Sequence, residues 1–306
     1  MSELRAAISW LVDRPWFRRL VMRTPPGRAV VRRFVAGESL REAMVVAREL
    51  QEVGIASMFD LLGEHVTTES GARALAAEHQ DAVAEVREHA ELDGAISVKL
   101  TQLGLDLSED LCRENLERIL EAAAGRTLVM IDMEHHEYVE PTIRLYREFH
   151  GRFERFGVCL QAYLHRTAED VFTLPEGAIV RLVKGAYLEP HDLAFSRRRD
   201  VDRRFSLLFA TLLGRGHTVH VATHDPRLIE GARLAVERRE ISWERVEFQM
   251  LYGIRRDLQN RLAREGYPVR VYVPYGTEWY PYLSRRLAER PANMWFFLHN
   301  LVRSGR

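Results

Sequence analysis

The strongest constraint on the fold is a repeated pattern of short apolar runs, most of them followed by a segment of helical length. The eight runs are rich in β-branched residues and cover residues 54–62, 95–100, 127–133, 157–164, 178–184, 218–223, 246–251 and 269–273. Continuous apolar strands that alternate with helices are typical of a parallel sheet buried on both faces. Eight such units match the strand count of a TIM-type (βα)8 barrel of the α/β class, and 306 residues are enough for one.

The segments between the runs carry signals of helix formation. Ser108 precedes acidic residues in a first turn, and Asp225-Pro226 combines an N-cap with proline at the first helical position. Helical apolar spacing covers residues 139–155 and 254–265, whereas 167–173 is barely two turns. An open doubly wound sheet would place a glycine-rich turn after its first strand. Gly214-Arg-Gly216 has no third glycine and follows no strand, so the barrel is the better prediction.

Composition limits the classes of protein that this chain can represent. The 44 acidic residues balance the 44 basic ones, so the net charge does not favour a nucleic acid partner. Cys112 and Cys159 are too few for a disulfide framework, and the N-terminus shows no secretory segment. No apolar run approaches the roughly 20 residues of a membrane span. These features predict a cytoplasmic protein.

The N-terminal region is basic and amphipathic. Residues 1–41 hold nine arginines against three acids, a net charge of +6, and large apolar residues lie between them. Such a segment can lie on an anionic membrane surface or pack as a helical arm on the main domain. We predict a helical arm over residues 1–50 and a catalytic barrel domain over residues 51–306.

Polar residues close several of the apolar runs. They are Asp60 with Glu64, Lys99, Asp132 with Glu134, Gln161 with Tyr163, Arg181 with Lys184, Thr223 with His224, Gln249, and Tyr272. In a (βα)8 barrel the chemistry sits at the carboxyl ends of the strands. Burying these groups would be costly unless they face a polar ligand or one another. We therefore expect the active site at this end of the barrel.

Lys99 and Lys184 are the two lysines among the 44 basic residues, and both lie in predicted strands. Lysine offers a compact charge that can lose its proton when desolvated, whereas arginine is bulky and permanently charged. A titratable lysine on a barrel strand suggests a Schiff base of the aldolase type.

Residues 280–290 provide a second kind of candidate site. If they form a helix, Tyr282, Arg285, Arg286 and Glu289 lie on one face after the eighth strand. Two arginines and a tyrosine at the barrel mouth would clamp a carboxylate beside a flat apolar wall. The alternative is an exposed helix with a surface Arg285–Glu289 pair.

Four motifs resemble the proline dehydrogenase family. They are RLVKGAY (181–187), FQMLYG (248–253), RVYVPYG (270–276) and YLSRRLAER (282–290), and the likeness runs from about Gly54 to about Asn300. The resemblance implies a distorted (βα)8 barrel with non-covalent FAD. It implies oxidation of L-proline to Δ1-pyrroline-5-carboxylate, the first step of proline catabolism to glutamate. Hydride would pass to flavin N5 and electrons to membrane quinone, with peripheral contact at the inner face of the membrane.

The resemblance also assigns roles to individual residues. The substrate would contact Lys99, Arg285 and Arg286 through its carboxylate, and Tyr272, Tyr282 and Leu251 through its ring. Asp132 would support Lys99 and Tyr272, and Arg181 would lie beside flavin N5. FAD would also contact Met133, Gln161, Lys184, Gly185, Ala186, Thr223, His224 and Gln249.

Two further assignments concern the last helix and the first strand. Glu289 would position Arg286 or the cofactor, and Glu64 would form a gate with Arg285 that pairs when substrate is bound. Leu188 and Asp225 depart from the aromatic residue and the asparagine that the family leads us to expect.

Three other functions compete with this interpretation. A Schiff-base aldolase would use Lys99 or Lys184. A metal-dependent barrel would use Asp132, Glu134, His135 and His136, but no His pair at i, i+4 supports it, and we predict no metal. A non-enzymatic scaffold would leave the polar strand ends unexplained.

Overall fold

Eight parallel strands close into a barrel in chain order. The computed structural model describes Arg14 and residues 24–63, 66–89 and 91–289. The strands are β1 Ala56–Leu61, β2 Gly94–Val98, β3 Leu128–Ile131, β4 Phe156–Gln161, β5 Ile179–Val183, β6 Thr218–Ala222, β7 Val246–Leu251 and β8 Val269–Tyr275. β1 pairs with β8 over its whole length, which closes the sheet. The predicted (βα)8 barrel is confirmed and the open sheet is excluded.

Helices precede the barrel and follow its strands. In chain order they are α1 Pro25–Phe34, α2 Leu40–Glu52, α3 Glu69–Glu88, α4 Glu109–Ala123, α5 Val139–His150, α6 Thr167–Thr173, α7 Arg198–Gly214, α8 Pro226–Arg238, α9 Arg256–Arg264 and α10 Trp279–Glu289. The helix starts read from the sequence are confirmed. Ser108 Oγ accepts a hydrogen bond from the Leu111 N–H at 3.4 Å, and Asp225 Oδ1 accepts one from the Arg227 N–H at 3.1 Å.

The two faces of the sheet differ in what they bury. Between the strands and the surrounding helices lies a continuous apolar core that includes Phe59, Tyr146 and Phe248. Inside the barrel a small separate cluster is formed by Met58, Ala95, Leu128 and Met130. Side chains alternate along a strand, so residues two positions beyond the members of this cluster also point into the barrel. Several of these residues are charged. The barrel interior is therefore apolar in part and polar towards the carboxyl ends.

The segment before β1 lies against the barrel where the structure describes it. The Ala36 N–H donates to the Pro274 carbonyl at 2.8 Å, and α2 packs on β1 and β8. A Cβ at Gly253, where φ is +74°, would lie 1.7 Å from the Arg33 carbonyl oxygen, so glycine is required at this contact. The domain boundary near residue 50 stays a prediction. Within the described ranges, no helix is both long and apolar enough to span a bilayer.

Candidate active site

Asp132, directly after β3, joins side chains from three other strands at the barrel mouth. Its Oδ2 accepts a hydrogen bond from the Tyr272 hydroxyl at 2.5 Å and lies 3.4 Å from Lys99 Nζ. Its Oδ1 accepts from Ser97 Oγ at 2.7 Å and from the Arg181 guanidinium. Four of these five residues come from predicted strand ends. The Asp132 carboxylate is 13% exposed, and with two cationic partners and two hydroxyl donors it is fully satisfied.

Lys99 is held in its charged form. Its Nζ donates to Asp60 Oδ1 at 2.5 Å, and 16% of its side chain is exposed. Burial lowers the pKa of this ammonium, but Asp60 and Asp132 raise it more, so the net pKa is raised. A Schiff base needs a neutral amine as nucleophile. The surroundings of Lys99 therefore oppose the aldolase alternative at this residue.

The same neighbours set the charge of Asp132 and Tyr272. Burial raises the pKa of Asp132, but Arg181 and Lys99 lower it more, so its net pKa is lowered. Burial raises the pKa of the Tyr272 hydroxyl well above its ordinary value. Asp132 is therefore an anion that accepts, and Tyr272 is a neutral donor. The Arg181 guanidinium carbon lies 5.2 Å from the centre of the Tyr272 ring, close enough for a cation–π contact.

Arg181 is connected through Gln249 to charges deeper in the barrel. Its Nε donates to Gln249 Oε1 at 2.8 Å. The Gln249 amide nitrogen donates to Glu247 Oε1 at 2.8 Å and lies 2.8 Å from His220 Nδ1. Because the Gln249 amide nitrogen donates to the Glu247 carboxylate, the Gln249 amide oxygen faces Arg181.

This chain of contacts continues to the opposite end of the barrel. Glu247 accepts a hydrogen bond from Arg270 Nε at 2.9 Å, and Arg270 Nη2 lies 3.1 Å from Asp93 Oδ1. We name the series Asp93, Arg270, Glu247, Gln249, Arg181 and Asp132 the interior column. It places alternating charges through the barrel, which rigidly orients Arg181 below the mouth.

Gln161, at the end of β4, presents an unused acceptor. Its amide nitrogen donates to the Met133 carbonyl at 3.4 Å and to the Glu134 carbonyl at 3.2 Å. Its Oε1 is buried and accepts no hydrogen bond from any residue that the structure describes. A buried acceptor in this state indicates a ligand that carries an N–H or O–H donor.

Lys184 follows β5 and binds two acids on neighbouring elements. Its Nζ lies 2.5 Å from Asp202 Oδ1 on α7 and 3.1 Å from Asp225 Oδ2 before α8. Burial raises the pKa of Asp225, but hydrogen bonds from Arg227 and Lys184 lower it more, and the net pKa is well below the ordinary value. The departure from asparagine at this position thus adds a negative charge beside Lys184.

The other predicted cofactor residues lie on the same rim. His224 Nε2 accepts from the Leu251 N–H at 2.9 Å, and Thr223 Oγ1 accepts from the Asp225 N–H at 3.2 Å. Gly185 has φ +114°, and a Cβ there would lie 2.2 Å from the Tyr163 ring. Met133 lies two residues after β3, and Ala186 lies three residues after β5.

The last helix carries the remaining candidates. Tyr282 is buried on α10. Arg285, Arg286 and Glu289 fall on the backbone of α10, but their side chains lie outside the described residues, as does Glu64. The predicted carboxylate clamp and gate stay predictions.

The four residues of the metal alternative do not converge. His136 Nδ1 lies 2.5 Å from Glu189 Oε2 and His135 Nδ1 lies 3.5 Å from Glu189 Oε1, whereas Asp132 binds Lys99 and Arg181. In the described ranges no three His, Cys, Asp or Glu side chains are arranged to hold a metal ion.

Several partners in the site received no role from the sequence. The sequence places Asp60 at a strand end but does not predict its pairing with Lys99. It gives no role to Ser97 or Glu247. The available signal is alternation, because Ser97 lies two residues before Lys99, and Glu247 two before Gln249, on the same face of each strand.

Known proteins resemble this chain over most of its length. The family described as Proline dehydrogenase matches residues 43–299. Proline dehydrogenase 1 of Bacillus subtilis (strain 168) is 42% identical over 278 residues, which cover 90% of this chain and 92% of that protein. Proline dehydrogenase of Deinococcus radiodurans is 39% identical over 309 residues, which cover 98% of each chain.

A solved structure also matches. Proline utilization A (PutA) from Bdellovibrio bacteriovorus, inactivated by N-propargylglycine, superimposes with a TM-score of 0.80 at 26% identity. The match covers 86% of this chain but 33% of the PutA chain. The similarity therefore concerns about a third of that larger protein.

Proposed function

The chain belongs to the proline dehydrogenase family and oxidises proline, and from that premise we propose that it uses FAD, forms Δ1-pyrroline-5-carboxylate and passes electrons to membrane quinone. The observation that carries the proposal is the set of contacts around Asp132. One carboxylate holds Lys99, Tyr272 and Arg181 at the end of the barrel where such enzymes act. It thereby fixes a cation, a flat ring and a second cation in one place.

These groups suit a small cyclic amino acid. The Lys99 ammonium attracts the substrate carboxylate, and Arg285 and Arg286 of α10 complete the clamp as the bidentate partners. Tyr272, Tyr282 and Leu251 provide the apolar surface for the ring. Three cations at one end of a small ring restrict its orientation, so that a single C–H bond faces the place of reaction.

The residues at the strand ends fit FAD. FAD, when bound, accepts the hydride that leaves the substrate carbon. The unused Gln161 oxygen would accept a ring N–H, and the Arg181 guanidinium would favour negative charge beside N5. Lys184 would face the phosphates, with Gly185, Ala186, Thr223, His224, Gln249, Met133 and Glu289 around the rest of the cofactor. Because Arg181 is buried and already paired with Asp132, it needs no rearrangement to favour that negative charge.

A visible spectrum tests this proposal directly. The purified protein should show the absorption band of bound flavin, and L-proline should bleach it without any other acceptor. A matched addition of D-proline should bleach it far less, because the clamp fixes one hand of the substrate. A colourless protein that still fails to take up added FAD would refute the proposed cofactor.

We also propose the gate between Glu64 and Arg285. A rim ion pair contributes little when solvated but more once water is excluded, so substrate binding and pairing would reinforce each other. Glu64→Ala should raise the Michaelis constant for proline with less effect on flavin reduction at saturation. A double-mutant cycle with Arg285→Ala measures the coupling, and strictly additive losses would rule out the gate.

The electron acceptor requires contact with a membrane. We propose a cytoplasmic protein that meets the inner face of the membrane peripherally, with residues 1–50 as a helical arm on the barrel domain of residues 51–306. Quinone reduction by proline in the presence of vesicles, absent with vesicles that lack quinone, tests the acceptor.

A further inference from the structure

A cleft of about 580 Å³ opens beside the barrel mouth, between the first turns of α7 and α8. We name it the rim cleft. It is lined by Arg198, Arg199, Asp202, Arg203, Ser206, Arg227 and Leu228. Helices of a (βα)8 barrel begin at the end where the parallel strands finish, so the rim cleft shares the face of the candidate active site.

The charge of the rim cleft is positive and incompletely compensated. Arg198 and Arg227 each lie within 3.3 Å of Asp225 Oδ2, a carboxylate that Lys184 also uses. Arg199 and Arg203 make no ion pair with any residue in the described ranges. Residues 197–204 hold five arginines against two aspartates, a net charge of +3. Two guanidinium groups therefore remain available for an anion from outside the protein.

Two exposed aliphatic side chains lie on α7 and in the loop before it, in the chain segment that carries these arginines. Leu188, in the loop that leads from β5 towards α7, is 83% exposed. Leu207, one helical turn after Arg203, is 54% exposed. Arginines interleaved with exposed aliphatic residues are typical of surfaces that lie in the headgroup region of a bilayer. A free phosphate would give no reason for the exposed leucines.

We propose that the rim cleft docks on an anionic phospholipid membrane. A headgroup phosphate would sit between Arg199 and Arg203, with Leu188 and Leu207 at the acyl boundary. The inference rests on the proposed function, in which electrons leave for a membrane quinone, and it names the docking surface. Docking through the rim cleft turns the barrel mouth towards the bilayer, which shortens the path from the site to the quinone.

Flotation of the full chain with vesicles tests the surface without using catalysis. The parent protein should float with phosphatidylglycerol–phosphatidylcholine vesicles and not with phosphatidylcholine alone. Removing both unpaired arginines, as Arg199→Ser with Arg203→Ser, should weaken partition roughly twenty- to thirtyfold. The matched control is Arg118→Ser with Arg126→Ser, since both residues are exposed, lack an ion pair in the described ranges and lie away from the rim cleft on α4 and after it.

A separate measurement tests the contribution of the exposed leucines to membrane binding. Binding through arginines should fall as sodium chloride rises from about 0.05 M to about 0.5 M, and Leu188→Ser should remove most of the binding that survives at high salt. Val53→Ser, at an exposed valine before β1, should leave that binding unchanged.

Three outcomes would overturn the proposal. The first is equal flotation of the arginine double variant and its parent. The second is binding of inorganic phosphate, measured by calorimetry, with no flotation on anionic vesicles. The third is loss of bound flavin from the double variant, which would assign the rim cleft to the cofactor. A protein that floats as expected but is colourless and takes up no added FAD would refute the proposed cofactor and leave the docking surface intact.

Discussion

Lys99 shows how a single residue type is fixed by its surroundings. Asp60 and Asp132 approach its Nζ from two strands, at 2.5 and 3.4 Å. In a space closed in this way, guanidinium overpacks, and overpacking costs about 1–3 kcal/mol. Lys99→Arg should therefore lower both thermal stability and kcat/KM for proline. The reverse exchange on the surface, Arg126→Lys, should change neither, and wild-type turnover in Lys99→Arg would show that the amine is incidental.

His79 predicts a pH dependence of stability. It is 1% exposed, and burial lowers its pKa to about 4. As pH falls from 6.5 towards 4, His79 becomes protonated in the unfolded chain but stays neutral in the folded chain, so the folded state loses stability. His79→Gln should reduce the loss between pH 7.5 and pH 4.5 by about 2–3 kcal/mol, measured by urea unfolding. An unchanged loss would mean that His79 is protonated in the folded protein.

At the scale of elements, α10 tests the clamp. The sequence places Arg285 and Arg286 one turn beyond Tyr282, and Tyr282 is buried. Lysine cannot reproduce a two-pronged fork, and truncating one partner of a buried charge pair costs about 2–5 kcal/mol. Arg285→Lys and Arg286→Lys should each raise the Michaelis constant for proline at least tenfold while the flavin band is retained. An unchanged Michaelis constant in both variants would remove the clamp.

The elements themselves could be predicted because their signals are local. Each apolar run overlaps one strand, and the caps at Ser108 and Asp225 begin helices where the sequence indicates. The sequence predicts barely two turns over residues 167–173, and these residues form α6. β8 continues beyond the predicted Val273 to Tyr275, because its last residues pair with the end of β1. Pairing between strands that are far apart in sequence leaves no local signal.

Within the site, the sequence predicts which residues are present more readily than which of them are hydrogen-bonded to one another. Asp132, Lys99, Arg181 and Tyr272 stand at strand ends, so their common location follows from the barrel. That Ser97 and Asp60 complete their hydrogen bonds depends on register across the sheet, where Asp60 lies opposite Ser97. Register is a property of the closed barrel and cannot be read from one strand.

At the scale of the whole molecule, the interior column is a source of fold stability as well as orientation. Arg270 is 3% exposed and depends on Glu247 and Asp93 for its charge balance. Glu247→Ala leaves that charge without its nearest partner, so it should cost about 3–5 kcal/mol of unfolding free energy.

The surface offers a matched comparison for the interior column. Glu237 forms an exposed ion pair with Arg233 at 2.7 Å. Glu237→Ala should cost at most about 1 kcal/mol, because solvent screens such pairs. Denaturant unfolding of both variants checks the difference, and equal losses would show that the interior column does not stabilise the barrel.

Because lysine is scarce in this chain, a reagent that labels side-chain amines reports on one region of the protein. Both side-chain amines, Lys99 and Lys184, lie at the barrel mouth and are engaged by carboxylates, at 2.5 Å in each case. An amine-acylating reagent applied to the native protein therefore meets no lysine on the outer helices. Any lysine adduct found by peptide mapping therefore reports on the barrel mouth alone. The rate at which the adduct forms, compared with and without proline or FAD, measures whether the site is occupied, and no engineered label is needed.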